Sequence, residues 1–287
     1  MNTDNLFEIH RSRLLSLAYK LLGSRSDAED VVQDAWLRWS QADQASILEP
    51  QAWLVTTTTR LGIDRLRAAK TQRIDYVGPW LPEPLEIDES PTPEHHAELA
   101  EQVSLAFLAA LERLGPEERA AFLLKEAFDY EYAQIAPLLN QSEANCRQMV
   151  HRGRERVRAE RPRFEVAPER HRRLLERFMQ AARVGDQPAI TALLREDARL
   201  ISDGGGKAVA AIRPLLGRER IARLFWAAYR RPDPTTEWRM GTVNGEAAIL
   251  RYRGAQLAAI IVAVSDGDCI LELLNVANPD KLRVSHA

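Results

Sequence analysis

Cysteine is nearly missing: Cys146 and Cys269 are the only two among 287 residues. They are too few for a disulfide framework and fit a reducing compartment. No apolar run approaches the roughly 20 residues that a membrane-spanning helix needs, and no membrane association is expected. The opening Met1-Asn2-Thr3-Asp4-Asn5 lacks the basic-then-apolar order of a secretion signal, so a cytoplasmic location is expected. The six histidines show no ligand spacing, and two of them, His95-His96, are adjacent. Neither a metal nor a cofactor is expected. No Ser/His/Asp set or pair of acid–base carboxylates stands out, which points away from an enzyme. A strong net charge is lacking too, at −2, but the charge is segregated. Residues 73–104 hold one basic and eight acidic side chains, whereas 168–287 hold nineteen and fourteen; 1–72 and 105–167 are each balanced. Low overall charge does not exclude DNA binding when basic residues cluster on one face.

The length suggests about two or three domains. In the first, over 1–72, Leu6, Ile9, Leu14, Leu17, Ala18, Leu21 and Leu22 recur at helical period. Gly23 ends that helix, and Ser26 with Glu29 predicts a capping box for the next. Val31, Val32, Ala35, Trp36 and Trp39 would be the second helix's buried stripe. A third helix is expected after Pro50. Residues 73–96 are acidic and carry Pro79, Pro82, Pro84, Pro91 and Pro93, the composition of an extended linker. Tyr76, Val77, Trp80, Leu81 and Leu85 make it too apolar for a bare spacer, so docking on a neighbouring surface is expected. Residues 97–162 read as helical again. From Pro168, helices over 169–184, 186–195 and 217–230 precede two hairpins, turning at Asn244-Gly245 and Asp266-Gly267-Asp268. The domain over 168–287 is therefore expected to be α+β.

Residues 142–158 carry the strongest functional signal. An amphipathic run to Leu139, a turn at Asn140-Gln141 and a basic helix capped by Ser142 form the pattern of a helix-turn-helix. Glu143, Asn145, Arg147 and Gln148 offer groups for base edges. Arg152, Arg154 and Arg156 offer charge for phosphates.

These parts occur in an order that resembles bacterial sigma factors. Residues 6–72 resemble sigma region 2 through Asp27-Ala-Glu-Asp-Val-Val-Gln-Asp-Ala-Trp36, Ala52-Trp53-Leu54 and Leu61-Gly-Ile-Asp64-Arg65-Leu66. Residues 105–160 resemble region 4, with nothing similar to region 3 between them. That layout resembles the extracytoplasmic-function class. Trp80-Leu81-Pro82-Glu-Pro84, Asp203-Gly-Gly-Gly-Lys207 and Asn278-Pro279-Asp280-Lys281-Leu282, with a C-terminal domain similar to the SnoaL/NTF2-like cone fold, narrow it to members regulated by their own C-terminal extension. The departures are Asn140-Gln141 at a turn where glycine is common, and Gly153 within the basic helix.

The resemblance implies a multidomain chain of two all-α domains and an α+β cone, which directs promoter-specific initiation with core RNA polymerase. It assigns Asp30, Gln33 and Asp34 to polymerase docking. Arg60 and Asp64 would lie near the recognised bases of the −10 element, with Arg67 and Lys70 on phosphates and the Thr56–Thr59 hydroxyls, Thr57 among them, against DNA. It assigns the helix after Ser142 to the −35 element, and the three short strings to intramolecular control. The free chain is expected to be a monomer. Three readings of the C-terminal domain stay open: a docking surface, a site for an unidentified small ligand, and acid–base catalysis by Asp203 with Lys207 binding an anion. A one-component regulator and a SnoaL-like enzyme with accessory helices are the competing whole-chain functions.

Overall fold

A computed structural model describes residues 3–88, 103–160 and 166–282. The described residues of 1–74 and 108–160 form one compact unit, and those of 75–107 and 161–287 a second.

The first unit is helical throughout. Its first three helices are α1 (Thr3–Leu22), α2 (Arg25–Gln41) and α3 (Pro50–Gln72). Leu14, Leu17, Leu21, Val31, Val32, Ala35, Trp39, Leu54 and Leu66 are buried among them. Gly23 ends α1 in the left-handed region, at φ 67°. The cap of α2 is Ser24, whose hydroxyl accepts from the Asp27 amide at 3.4 Å. The expected Ser26–Glu29 box is not formed, because Ser26 lies inside the helix and Glu29 pairs with Arg25 one turn back. Trp36, expected inside, is 39% exposed. Trp39 takes the inner position and packs against Trp53, ring centroids 5.5 Å apart.

Next come α4 (Leu105–Leu111), α5 (Pro116–Glu126), α6 (Tyr132–Leu139) and α7 (Glu143–Glu160). Arg119 on α5 is only 1% exposed. Its guanidinium donates to the carbonyl of Lys20 at 3.1 and 3.0 Å, near the C-terminal end of α1, and pairs with Glu112. The last carbonyls of a helix have no internal partner, so a buried guanidinium from α5 supplies one for α1.

The second unit is a seven-stranded sheet in the order β1-β4-β5-β6-β7-β2-β3, with helices α8 (Pro168–Val184), α9 (Gln187–Leu193) and α10 (Arg218–Tyr229). The strands are β1 (Ile87–Asp88), β2 (Leu194–Asp203), β3 (Leu215–Leu216), β4 (Thr236–Val243), β5 (Glu246–Arg253), β6 (Gln256–Ser265) and β7 (Ile270–Val276). Leu174, Phe178, Ile190 and Phe225 from the helices meet Leu200, Ile249, Ile261 and Leu273 from the sheet. Phe178 and Phe225 meet edge to face at 5.0 Å. This is the α+β layering expected. Both hairpins form, the first through Asn244 and Gly245 at φ 49° and 77°. The helix expected to reach residue 195 stops at Leu193, and β2 follows directly to pair in parallel with β7. Glu196 and Asp197 have little local preference for a strand and fall in a register irregularity between the pairs Leu194–Ile270 and Arg199–Glu272.

Arg119→Ala removes a buried cation, its bond to Glu112 and the cap on α1. A loss of about 3 kcal/mol or more is expected, seen as a lower urea midpoint with unchanged slope. A midpoint within error of wild type would refute this role.

Candidate nucleic-acid interface and linker latch

The helix-turn-helix consists of α6 and α7. Asn140 closes α6 in the left-handed region, at φ 53°, and the Gln141 amide donates to the Ala136 carbonyl at 2.9 Å. Asparagine thus fills the position where glycine is common. The Ser142 hydroxyl accepts from the Asn145 amide at 3.2 Å. Cys146, Met149, Val150 and Val157 are buried. Gly153 also faces inward: a β-carbon there would lie 3.1–3.3 Å from the Phe122 side chain. The glycine lets α7 approach α5 closely, so its cost in helix propensity has a packing counterpart.

The exposed front of α7 presents Ser142, Glu143, Arg147 and Gln148. Arg147 pairs with Glu143 at 2.7 Å and lies 5.2 Å from the Tyr132 ring centroid. Asn145 is only partly exposed and donates to Gln141 at 2.6 Å. The three arginines expected on phosphates lie at the surface but are paired within the unit. Arg152 and Arg156 pair with Glu118, and Arg154 with Glu126 at 2.6 Å, both on α5. The Glu126 hydrogen bond holds the Arg154 guanidinium above its ordinary pKa. Arg158, exposed near the end of α7, has no such partner among the described residues.

The α3 side chains are likewise engaged. Arg60 donates to the carbonyls of Leu138 and Pro137, each at 3.1 Å, at the C-terminal end of α6. Lys70 donates to the Leu114 carbonyl at 3.1 Å. Arg67 bridges Asp64 at 3.1 Å and Glu117. Partial burial pushes the Glu117 carboxyl up, but its bond and attraction to Arg67 prevail and hold it below the usual range. Thr57 is buried, Thr58 is fully buried, and Thr59 donates to the Val55 carbonyl at 2.7 Å. These threonines face the packing of the helical unit, contrary to the expectation that they lie open to DNA. Of the polar groups that sequence assigns to the −10 element, Arg60, Lys70 and Arg67 are bonded to residues of α5, α6 and the turn before α5, Thr57 is buried, and Asp64 stays exposed beside Arg67.

On α2, Asp30, Gln33 and Asp34 are exposed in a row, as the helical spacing requires. Arg65 reaches across from α3 to Asp27 at 2.7 Å and Asp30 at 2.9 Å. Sequence reasoning missed the apolar part of this face: Leu37 is 41% exposed beside Trp36.

In the second unit, the three short strings meet at one buried point. Asp203 is 0% exposed and Lys281 6%, and they pair at 2.7 Å. The linker supplies the remaining partners. Tyr76 donates its hydroxyl to Asp203 Oδ1 at 2.5 Å, and the Leu81 amide donates to Oδ2 at 2.8 Å. Lys281 donates to the Leu81 carbonyl, and its ammonium lies 3.9 Å from the Trp80 ring centroid. Asn278 donates to the Tyr76 oxygen at 2.9 Å. Burial and the Asp203 bond push the Tyr76 hydroxyl well above the ordinary tyrosine pKa, so it stays protonated. Pro82 is buried and Pro279 half-buried; Lys207 pairs with Asp280 at the surface.

The glycines fit this packing. A β-carbon on Gly204 would lie 2.5 Å from the Ala208 carbonyl, and one on Gly205 would lie 2.3 Å from Asn278 Nδ2. Sequence reasoning missed Tyr76 as a ligand of Asp203, and it missed Asn244 as more than a turn residue. The Asn244 side chain accepts from the Leu85 and Glu86 amides at 2.8 and 3.3 Å and donates to the Val103 carbonyl at 3.1 Å. It clasps the linker where β1 joins the sheet. Both carboxylate oxygens of Asp203 are engaged in these bonds.

Residues 6–72 match the family described as Sigma-70 region 2, and residues 104–157 match Sigma-70, region 4. The chain is 36% identical to the ECF RNA polymerase sigma factor SigJ of Mycobacterium tuberculosis, covering 96% of this chain and 91% of that protein. It is 29% identical to the probable ECF sigma factor SigI of the same organism, covering 95% and 92%. The crystal structure of M. tuberculosis SigJ matches with a TM-score of 0.74 at 32% identity, covering 98% of each chain.

Lys281→Ala leaves a fully buried carboxylate without its cation. The expected cost is about 3–5 kcal/mol, with faster amide exchange over residues 76–88. Adding Asp203→Ala should recover part of that stability. Hydrogen exchange of the full chain checks both, and unaltered linker protection in Lys281→Ala would show that the pair does not hold it.

Proposed function

Since the chain belongs to the extracytoplasmic-function sigma factors of RNA polymerase, we propose that its C-terminal domain controls initiation through the linker it holds. As a member of this family it binds core polymerase and recognises promoters through regions 2 and 4. The observation that carries the proposal is the buried Asp203–Lys281 pair, several of whose partners come from the linker. That linker is the only covalent path between regions 2 and 4. Pinning it removes slack that the two regions would need to reach separate promoter elements.

In this reading the acceptors Asp30, Gln33 and Asp34 dock α2 on a basic polymerase surface through charge-assisted bonds. The front of α7 reads the −35 element with Glu143, Asn145, Arg147 and Gln148, positioned by the Ser142 cap. Arg60, Arg67 and Lys70 serve the −10 element once region 4 releases them, together with the exposed Asp64. The α5 glutamates hold Arg152, Arg154 and Arg156 close to the edge of α7, where a phosphate can compete for them. The engagement of both Asp203 oxygens favours a docking surface over catalysis or ligand binding. The family's action on RNA polymerase fits a cytoplasmic protein, and no described helix is long and apolar enough to cross a membrane.

Run-off transcription with core polymerase tests the control. Trp80→Ala, Lys281→Ala and deletion beyond residue 275 should each change promoter output several-fold against the full chain, with the helicity of region 2 and region 4 retained. Equal output from all three would remove the C-terminal domain from control. Arg147→Ala should cost roughly 1–3 kcal/mol of discrimination at one −35 position and leave affinity for core polymerase unchanged; competition between promoter variants measures the first and co-purification the second.

A further inference from the structure

We propose that the outer surface of helices α8 and α10 in the C-terminal domain binds DNA phosphates when the chain sits on a promoter. This rests on the sigma-factor reading and adds a third DNA-binding surface to regions 2 and 4. Charge in the domain is concentrated in its helical half. Residues 168–231 hold fourteen basic and seven acidic side chains, whereas 232–287 hold five and seven. Helices α8 and α10 lie side by side on one face of the sheet, joined by Phe178 and Phe225, so the arginines that the core excludes turn to solvent.

The pairing of these arginines separates two populations. Arg170, Arg172, Arg195, Arg199, Arg239 and Arg253 each meet a carboxylate. Arg173 and Arg177 on α8, Arg220 on α10 and Arg231 just beyond it are exposed, and among the described residues no carboxylate lies within ion-pair distance of them. Arg173 and Arg177 are one helical turn apart and share a side of α8. Arg223 donates to the Glu219 carbonyl of its own helix, and Arg230 lies over the Trp226 ring, 5.3 Å from its centroid. Unpaired guanidiniums repel one another. They also present forked donors that match phosphate oxygens. Charge complementarity selects the polyanion on which this protein acts. The binding would be insensitive to sequence, because phosphates position a protein and carry no base information.

The test uses the full chain bound to core polymerase on a promoter fragment, with DNA affinity followed across salt. The variant is Arg173→Gln, Arg177→Gln, Arg220→Gln and Arg231→Gln combined. For every phosphate that an arginine no longer neutralises, the slope of log K against log salt should become shallower by about 0.9. The variant should therefore bind promoter at least about tenfold more weakly at low salt, with start site, sequence preference and core affinity unchanged. Lysine at the same four positions should preserve the slope. An unaltered slope in the glutamine variant, with an unchanged thermal midpoint, overturns the proposal. A weakening confined to core-polymerase affinity also overturns it and assigns the face to the polymerase. Failure of the wild-type chain to direct any initiation would instead overturn the sigma-factor reading beneath it.

Discussion

A carboxylate and an ammonium buried together hold the second unit in its observed form. Removing Asp203 and Lys281 from water is expensive, and their mutual attraction offsets that cost only when the remaining lone pairs and protons are satisfied. The domain's own strands cannot do this. The Tyr76 hydroxyl, the Leu81 amide and carbonyl and the Trp80 face complete the set, and all lie on the linker. The linker and the C-terminal domain therefore form one folding unit, although sequence composition separates them. β1 and the Asn244 clasp extend the same dependence along the sheet edge. Losing the linker would leave a buried charge pair half satisfied.

Competition for guanidinium and ammonium groups governs the helical unit. Arg60 and Lys70 spend their donors on carbonyls at helix ends, and Arg67 on Glu117. Bonds of a cation to a neutral carbonyl are weaker than bonds to a phosphate, and exposed pairs such as Arg67–Glu117 contribute little in water. On the proposed function, the same groups would hold region 4 in the free chain and exchange these weak bonds for contacts to DNA. Arg119 differs because it is buried, and its bonds to Lys20 and Glu112 have no solvent competitor.

Periodicity and turn chemistry made much of this legible. The helices of regions 2 and 4, the Asn140 turn, the Ser142 cap and both hairpins follow from local rules. What sequence concealed is non-local. Ser26 and Glu29 satisfy the capping-box pattern, but the left-handed Gly23 places Ser24 first in line. Thr57 has a hydroxyl suited to DNA, and only the packed helical unit reveals that it is buried. Arg152, Arg154 and Arg156 read as a row of free cations, and sequence does not show that Glu118 and Glu126 pair with them from another helix. The parallel pairing of β2 with β7 joins segments far apart in the sequence.

The triple glycine shows how a motif can be read correctly as a tight loop while its chemistry stays open. A glycine-rich loop followed by lysine suggests an anion site, because exposed amides and an ammonium would converge there. Here the space above the glycines is already taken. Gly205 sits at φ 57° with Asn278 and the Tyr76 oxygen within 3.0 Å of where a β-carbon would be, and Val77 lies 3.2 Å from the equivalent point on Gly206. The Lys207 ammonium turns to Asp280 on the neighbouring turn. A side chain at Gly205 would therefore act in two ways, through an unfavourable backbone angle and by displacing the residues that orient Tyr76 toward Asp203. The loop is small because a linker must lie on it, and the same smallness that admits the linker excludes a separate ligand while the linker is in place.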